Sequence, residues 1–241
     1  MRGYAKSDTG RVRECNEDSF LCKPPLFVVA DGMGGHVAGE IASKTATEVI
    51  NDYVMQHART EEPAILLAAA INEANREVYR LSRENSQYAG MGTTVTTAYV
   101  EGNKIYWSHI GDSRIYLIRD DDILQVTPDH SLVSELVRSG NITAEEALTH
   151  PQRNILTRAV GTGESVMPAN GNFVWQEDDI LLLCTDGLTN MVKETDILDL
   201  VRTKRPDAAW IVDNLVKMAN YAGGVDNITV LLAQSADGNH G

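Results

Sequence analysis

Five apolar residues, Leu26, Phe27, Val28, Val29 and Ala30, run into Asp31 and a loop containing three glycines, and the chain then turns helix-periodic. A short apolar run bounded by glycine is the pattern of a strand buried on both faces. From Ala38 onward Ile41, Ala42, Thr45, Val49, Ile50 and Tyr53 recur at three- and four-residue spacing, the stripe of a helix packed on a core. Such a strand–loop–helix unit needs a sheet to sit in and a second layer to cover it. The carboxylate of Asp31 at the junction is expensive unless a cation faces it. An Asp-Gly pair is also an ordinary turn signal, and alone it does not decide between the two.

The order of the other elements narrows the architecture. The first helix is expected over about residues 38–57. A second follows over about 62–84, with Pro63 in its first turn and an apolar stripe from Ile65 to Leu81. Strand patterns then dominate: TTVTTAYVE and KIYWSHIG meet at Gly102-Asn103, and RIYLIR and ILQVTP flank Asp120-Asp121-Asp122. Four such segments in succession predict an antiparallel meander. Residues 128–165 are polar, with short helical pieces and a capping box from Thr143 to Glu146. Strands resume at NFVWQ and DDILLLCTDG, helices follow over about 194–202 and 207–222, and NITVLLAQ is a last strand. No internal repeat or low-complexity linker divides the chain, which reads as one domain.

Composition excludes several classes of function. The net charge is −13 without a Lys/Arg cluster, which argues against nucleic acid or an anionic membrane as partner. No apolar run approaches the roughly 20 residues of a membrane span, and the N-terminus lacks a signal-peptide core. Three cysteines without zinc spacing suit a reducing cytoplasm.

The acids themselves form a pattern. Asp31 closes FVVA, Asp186 closes ILLLCT, Asp226 opens NITVLL, and Asp112 follows IYWSHIG. Each has a Gly or Asn neighbour that lets the backbone turn sharply. In antiparallel sheets the end of one strand lies beside the start of the next, so these acids can share one rim. Gathered there they would repel, and several would stay protonated unless divalent cations intervened. An all-oxygen donor set suits magnesium or manganese better than zinc. The competing reading is a set of unrelated turn aspartates.

Six segments, RVRECNEDSF, FVVADGMGGHVAGEIAS, MGTTVTTAYV, HIGDSRIYLI, LLLCTDGLTN and GGVDNITVLL, resemble the successive signature motifs of the bacterial metal-dependent Ser/Thr protein phosphatases, the protein phosphatase 2C family. They occur in that family's order and spacing, over nearly the whole chain, and weaken only after Gln234. The resemblance implies an α+β fold, a four-layer αββα sandwich of two central antiparallel β-sheets flanked by antiparallel helix pairs. It implies a single catalytic domain over residues 1–234 with a flap at about 128–165, and a polar tail at 235–241.

It also implies roles. Asp31 would bridge two Mn2+ or Mg2+ ions, Asp186 and Asp226 would complete one of them, and the Gly32 carbonyl would help hold the other. Glu17 would be a further ligand, direct or through water, and Asp18 an acid standing behind the ligands. Asp112 with Asp186 would take a weaker third ion. Arg13 would bind the phosphate, and His36 would give a proton to the leaving group or orient the water that does. Ions about 3.5–4 Å apart make a bridging hydroxide available near neutral pH, and it would attack the phosphorus of phosphoserine or phosphothreonine. Arg138, Arg153 and Arg158 on the flap either face an anionic peptide or are solvated surface. The expected partners are phosphorylated Ser/Thr proteins, including a cognate Ser/Thr kinase; nucleic acid and membrane are not expected. The expected state is a cytoplasmic monomer. Thr185 stands where relatives often carry Ser.

Other phosphatase chemistries lack their residues: no cysteine has an arginine six positions on, and no D-x-D-x-T/V follows a strand. The GMGGH loop is not a full G-x-G-x-x-G. Two rivals stay open, a non-catalytic metal-stabilised module that binds phosphoproteins, and a metal-dependent phosphodiesterase.

Overall fold

The computed structural model describes residues 1–35, 38–203 and 207–235. Two antiparallel sheets face each other. The first contains β1 (Arg2–Asp8), β7 (Arg114–Arg119), β8 (Asp122–Gln125), β10 (Ile180–Cys184) and β11 (Ile228–Gln234), in the order β1-β11-β10-β7-β8. The second contains β2 (Asp18–Lys23), β3 (Leu26–Met33), β5 (Val95–Glu101), β6 (Lys104–Ile110) and β9 (Ala169–Val174), in the order β2-β3-β5-β6-β9, with the two-residue β4 (Gly92–Thr93) added to β3. Helices α1 (Ala38–His57) and α2 (Pro63–Glu84) cover the second sheet. The first is covered by α6 (Glu194–Thr203) and α7 (Ala208–Tyr221). This is the four-layer sandwich expected above.

The continuous apolar runs are explained by burial on both sides. In β10, Leu181 and Leu183 point into the space between the sheets, where they meet Phe27 and Val29 of β3 and Leu231 of β11. Their neighbours Ile180, Leu182 and Cys184 point the other way, onto Ile211 and Leu215 of α7. Likewise Val28 and Ala30 of β3 pack on Ala42, Ala46 and Ile50 of α1. Alternate residues thus serve two cores, and neither face of these strands tolerates a polar residue.

Two sequence-based expectations need correction. The four central strands are not one meander: β5–β6 is a hairpin in the second sheet, and β7–β8 is a hairpin in the first. The chain crosses from sheet to sheet at Gly111-Asp112-Ser113, because β6 pairs onward with β9 and β7 with β10. In addition, β3 passes its expected end at Asp31-Gly32 by one residue, reaching Met33. Its pairing runs on, with Asp31 opposite Asp18 and Gly32 opposite Thr93. Between the sheets' ends, α3 (Leu132–Arg138) and α4 (Ala144–Leu148) form an appendage, and Thr143 makes the reciprocal capping box with Glu146. Residues 236–241 of the expected tail lie outside the described residues.

Candidate active site

The crossing and the strand ends put acids from both sheets around one cleft of about 440 Å3, lined by Arg13, Glu17, Asp31, Gly32, Asp112, Asp186 and Asp226. Asp31 comes from β3 of the second sheet. Asp186 opens the one-turn helix α5 (Asp186–Thr189) after β10, and Asp226 precedes β11. Asp112 occupies the crossing itself. On the cleft's other wall stand Asn154, Thr157 and Arg158 of the appendage. Asp18 is not in the cleft but behind it, and His36 lies outside the described residues.

Backbone packing at the head of the cleft leaves no room for side chains. A Cβ on Gly32 would lie 2.1 Å from the Gly39 carbonyl oxygen and 2.5 Å from that of Glu17. The start of α1 is thereby pressed against β3, and the Gly32 amide donates to the Glu17 carbonyl at 3.1 Å.

Crowded charge dominates the electrostatics. Asp31 is raised well above the ordinary carboxylate range, first by desolvation and then by Asp18, Asp186, Asp112 and Asp226. Asp112 is pushed up to about 8 by burial and then by Asp186 and Asp129, with Arg114 opposing. Asp18 is pushed up to about 7 by burial, although its Oδ2 accepts hydrogen bonds from Thr229 at 2.7 Å and Thr185 at 2.9 Å. Asp186 is raised by burial and Asp226, and hydrogen bonds to Asp31 and Asn190 moderate the rise. Glu17 is raised by burial, with Arg13 opposing. Asp226 is tied to Arg13, whose Nη2 donates to Oδ2 at 2.9 Å.

Such a set fits a divalent cation. Among the described residues, the buried Glu17 Oε1, Asp18 Oδ1 and Asp186 Oδ1 have no hydrogen-bond partner. Buried carboxylate oxygens without donors are costly, and hard cations coordinated by oxygen relieve that cost. Among the described residues no three His, Cys, Asp or Glu side chains stand at the spacing of a ready-made metal site. The acids instead pair with what is at hand, Asp31 with Asp186 and Asp226 with Arg13.

Comparison with known proteins identifies the family. Residues 9–211 match the family model described as protein phosphatase 2C. The serine/threonine phosphatase stp of Listeria welshimeri is 40% identical over 242 residues, covering 97% of this chain and 96% of that protein. The chain belongs to the protein phosphatase 2C family. The crystal structure of the Mycobacterium tuberculosis serine/threonine phosphatase PstP/Ppp superposes with a TM-score of 0.88 at 38% identity, covering 98% of this chain and 99% of that one. The catalytic domain of PstP in complex with two manganese ions gives a TM-score of 0.87 at 36% identity, covering 98% of both chains.

The protein phosphatase 2C cleft is held by polar residues whose partners the sequence did not show. Asn227 was read only as a turn neighbour. Its Oδ1 accepts from the Glu17 amide at 2.8 Å, and its Nδ2 donates to the carbonyls of Thr9 at 3.0 Å and Cys15 at 2.9 Å. One amide therefore folds the β1–β2 loop, which carries Arg13 and Glu17, onto the start of β11. Thr185 joins the two sheets, donating to Asp18 and accepting from the Thr229 amide at 3.0 Å. Under the crossing, His130 clasps Gly111 twice: its amide donates to the Gly111 carbonyl at 2.7 Å, and its Nδ1 accepts from the Gly111 amide at 3.1 Å. His109 stacks on it and is buried and neutral, pushed down to about 3 by desolvation and then by His130. Both histidines are structural parts of the turn that carries Asp112.

Proposed function

We propose that this chain is a metal-dependent protein serine/threonine phosphatase, which removes phosphate from phosphoserine and phosphothreonine and opposes a Ser/Thr kinase. What supports the reading is the meeting of Glu17, Asp31, Asp112, Asp186 and Asp226 with Arg13 in one cleft of a family member. Residues 1–234 form the catalytic domain, and residues 128–165 its flap. Two Mn2+ or Mg2+ ions would be held by Asp31, Asp186, Asp226, the Gly32 carbonyl and Glu17, and a weaker third by Asp112 and Asp186. When bound, the ions acidify water and offset phosphate charge.

The chain's own groups do the rest. Arg13 turns from Asp226 to the phosphoryl oxygens and offers them paired, planar donors. Asp18, anchored by Thr185 and Thr229, backs Asp31 across the β2–β3 ladder and fixes its direction. His36 delivers a proton to the departing seryl or threonyl oxygen, or orients the water that does. The enzyme works as a cytoplasmic monomer on phosphoproteins, its cognate kinase among them; among the described residues no helix is long and apolar enough to cross a membrane.

The test is hydrolysis of para-nitrophenyl phosphate and of a phosphothreonine peptide with manganese. Asp31→Ala is expected to cut kcat/KM by about 10³-fold while keeping the wild-type circular dichroism, a loss of several kcal/mol of transition-state stabilisation. Full activity in Asp31→Ala sinks the proposal.

A further inference from the structure

A second cavity, of about 780 Å3, opens beside the catalytic cleft between the appendage and the start of α6. The two share Asp112, Asn154 and Asp186 as walls, so they adjoin. Part of the second cavity is apolar, with Val133 and Val137 of α3, Leu148 of α4 and Met191 facing it. Leu148 is 76% exposed and gives the cavity an accessible apolar edge.

Apart from Asp112 and Asp186 on the side shared with the catalytic cleft, the charged floor is satisfied from within. Arg114 makes a two-pronged pair with Asp129 at 3.0 and 2.7 Å and donates to the Tyr116 hydroxyl at 2.8 Å. That hydroxyl donates in turn to Glu194 at 3.0 Å. Three cations remain around the cavity, Arg138, Arg153 and Lys193. Among the described residues none of the three has an ion-pair partner, although the chain as a whole carries a net charge of −13. Positive charge gathered on one rim of an acidic protein draws anions there and repels cationic segments.

We propose that this cavity is a docking groove for the polypeptide flanking the phosphorylated residue, and that it selects flanks bearing anionic side chains beside an apolar one. The proposal rests on the phosphatase reading of the neighbouring cleft. The apolar side chain packs on Leu148, Val133 and Val137. The anions, carboxylates or a second phosphate, meet Arg138, Arg153 and Lys193. Selection acts on capture of the substrate, so it appears in KM and in salt dependence, with kcat little changed.

The test uses phosphothreonine peptides in which residues on one side, or on the other, are Glu, Lys or a second phosphothreonine, assayed with manganese at low ionic strength. The controls are para-nitrophenyl phosphate, which carries no flanking polypeptide, and the double variant Arg153→Glu with Lys193→Glu, which leaves the catalytic cleft's acids in place. On one of the two sides the anionic peptide should exceed its Lys counterpart about ten-fold in kcat/KM, mostly through KM. The larger gain, from Glu or from phosphothreonine, names the preferred anion. The double variant should lose or invert the preference and hydrolyse para-nitrophenyl phosphate at the wild-type rate. Equal rates on all peptides, or a preference that survives in the double variant, overturns the groove alone. No hydrolysis of para-nitrophenyl phosphate by the wild type overturns the phosphatase reading, and the groove with it.

Discussion

Replacing Asp18 by Asn isolates the cost of burying a carboxylate behind the cleft. Asp18 is 8% exposed, and its carboxyl is pushed from the model-peptide value of 3.8 up to about 7 by burial. Between those two values the folded protein holds a proton that the unfolded chain has released. Stability from this group is therefore full below the lower value and is lost as pH rises toward the upper one. Integrated from pH 5 to pH 8, one such group takes away about 2–3 kcal/mol. For a chain of this length that is roughly 5–10 °C in Tm. Asparagine keeps an oxygen to accept from Thr185 and Thr229 but cannot ionise. Metal-free protein, prepared with a chelator, would be melted at pH 5 and pH 8 in both forms. Wild type is expected to lose roughly 5–10 °C more than the variant on going to pH 8. His109, held neutral with its value pushed down to about 3, pulls stability the opposite way below the ordinary histidine range. It does so in both proteins, so the difference between them reads Asp18 together with the part of the Asp31 shift that the Asp18 charge causes. Equal pH dependence in the two forms refutes the reasoning.

Arg119 grips Asp179 at 2.7 and 2.6 Å, and the Asp179 side chain is 1% exposed. With only the Gln176 amide left as partner in Arg119→Ala, the buried charge should cost about 3–5 kcal/mol in urea unfolding, and the cleft's chemistry should be unchanged. Gly10 has φ +80, and a Cβ there would lie 2.2 Å from the Asp226 carbonyl oxygen. Gly10→Ala should shift Asp226 and weaken manganese binding about 10–100-fold by calorimetry; unaltered affinity would show that Asp226 is not a ligand. Asn227→Ala unties Glu17, Thr9 and Cys15, and at about 1 kcal/mol per hydrogen bond should lower stability by roughly 3 kcal/mol.

The elements most legible from the chain were those whose partners are local. Helix α1 begins and ends where its apolar stripe does, and the Thr143 capping box needs only the next three residues. Double-sided burial left its mark as unbroken runs such as Leu26 to Ala30. The sheet change at Gly111–Ser113 was not legible, because a hairpin turn and a jump between sheets use the same short polar sequence. The difference lies in β9 and β10, many residues downstream. The extension of β3 to Met33 has the same origin, since β4 holds it there. The acids of the cleft stood out because ionised groups at strand ends demand an explanation. Asn227, Thr185 and His130 did not, because uncharged polar residues in turns look ordinary until their distant partners are known.

The order of strands has a consequence for when this molecule comes into being. Every residue of β1, from Arg2 to Asp8, finds its ladder partner in β11, between Gln234 and Ile228. A ribosome emitting this polypeptide releases the first strand more than two hundred residues ahead of its mate. Until the mate emerges, one sheet lacks its interior member and the loop bearing Arg13 and Glu17 has no Asn227 to fasten it. The cleft thus cannot close before the stretch from Asp226 to Gln234 has emerged.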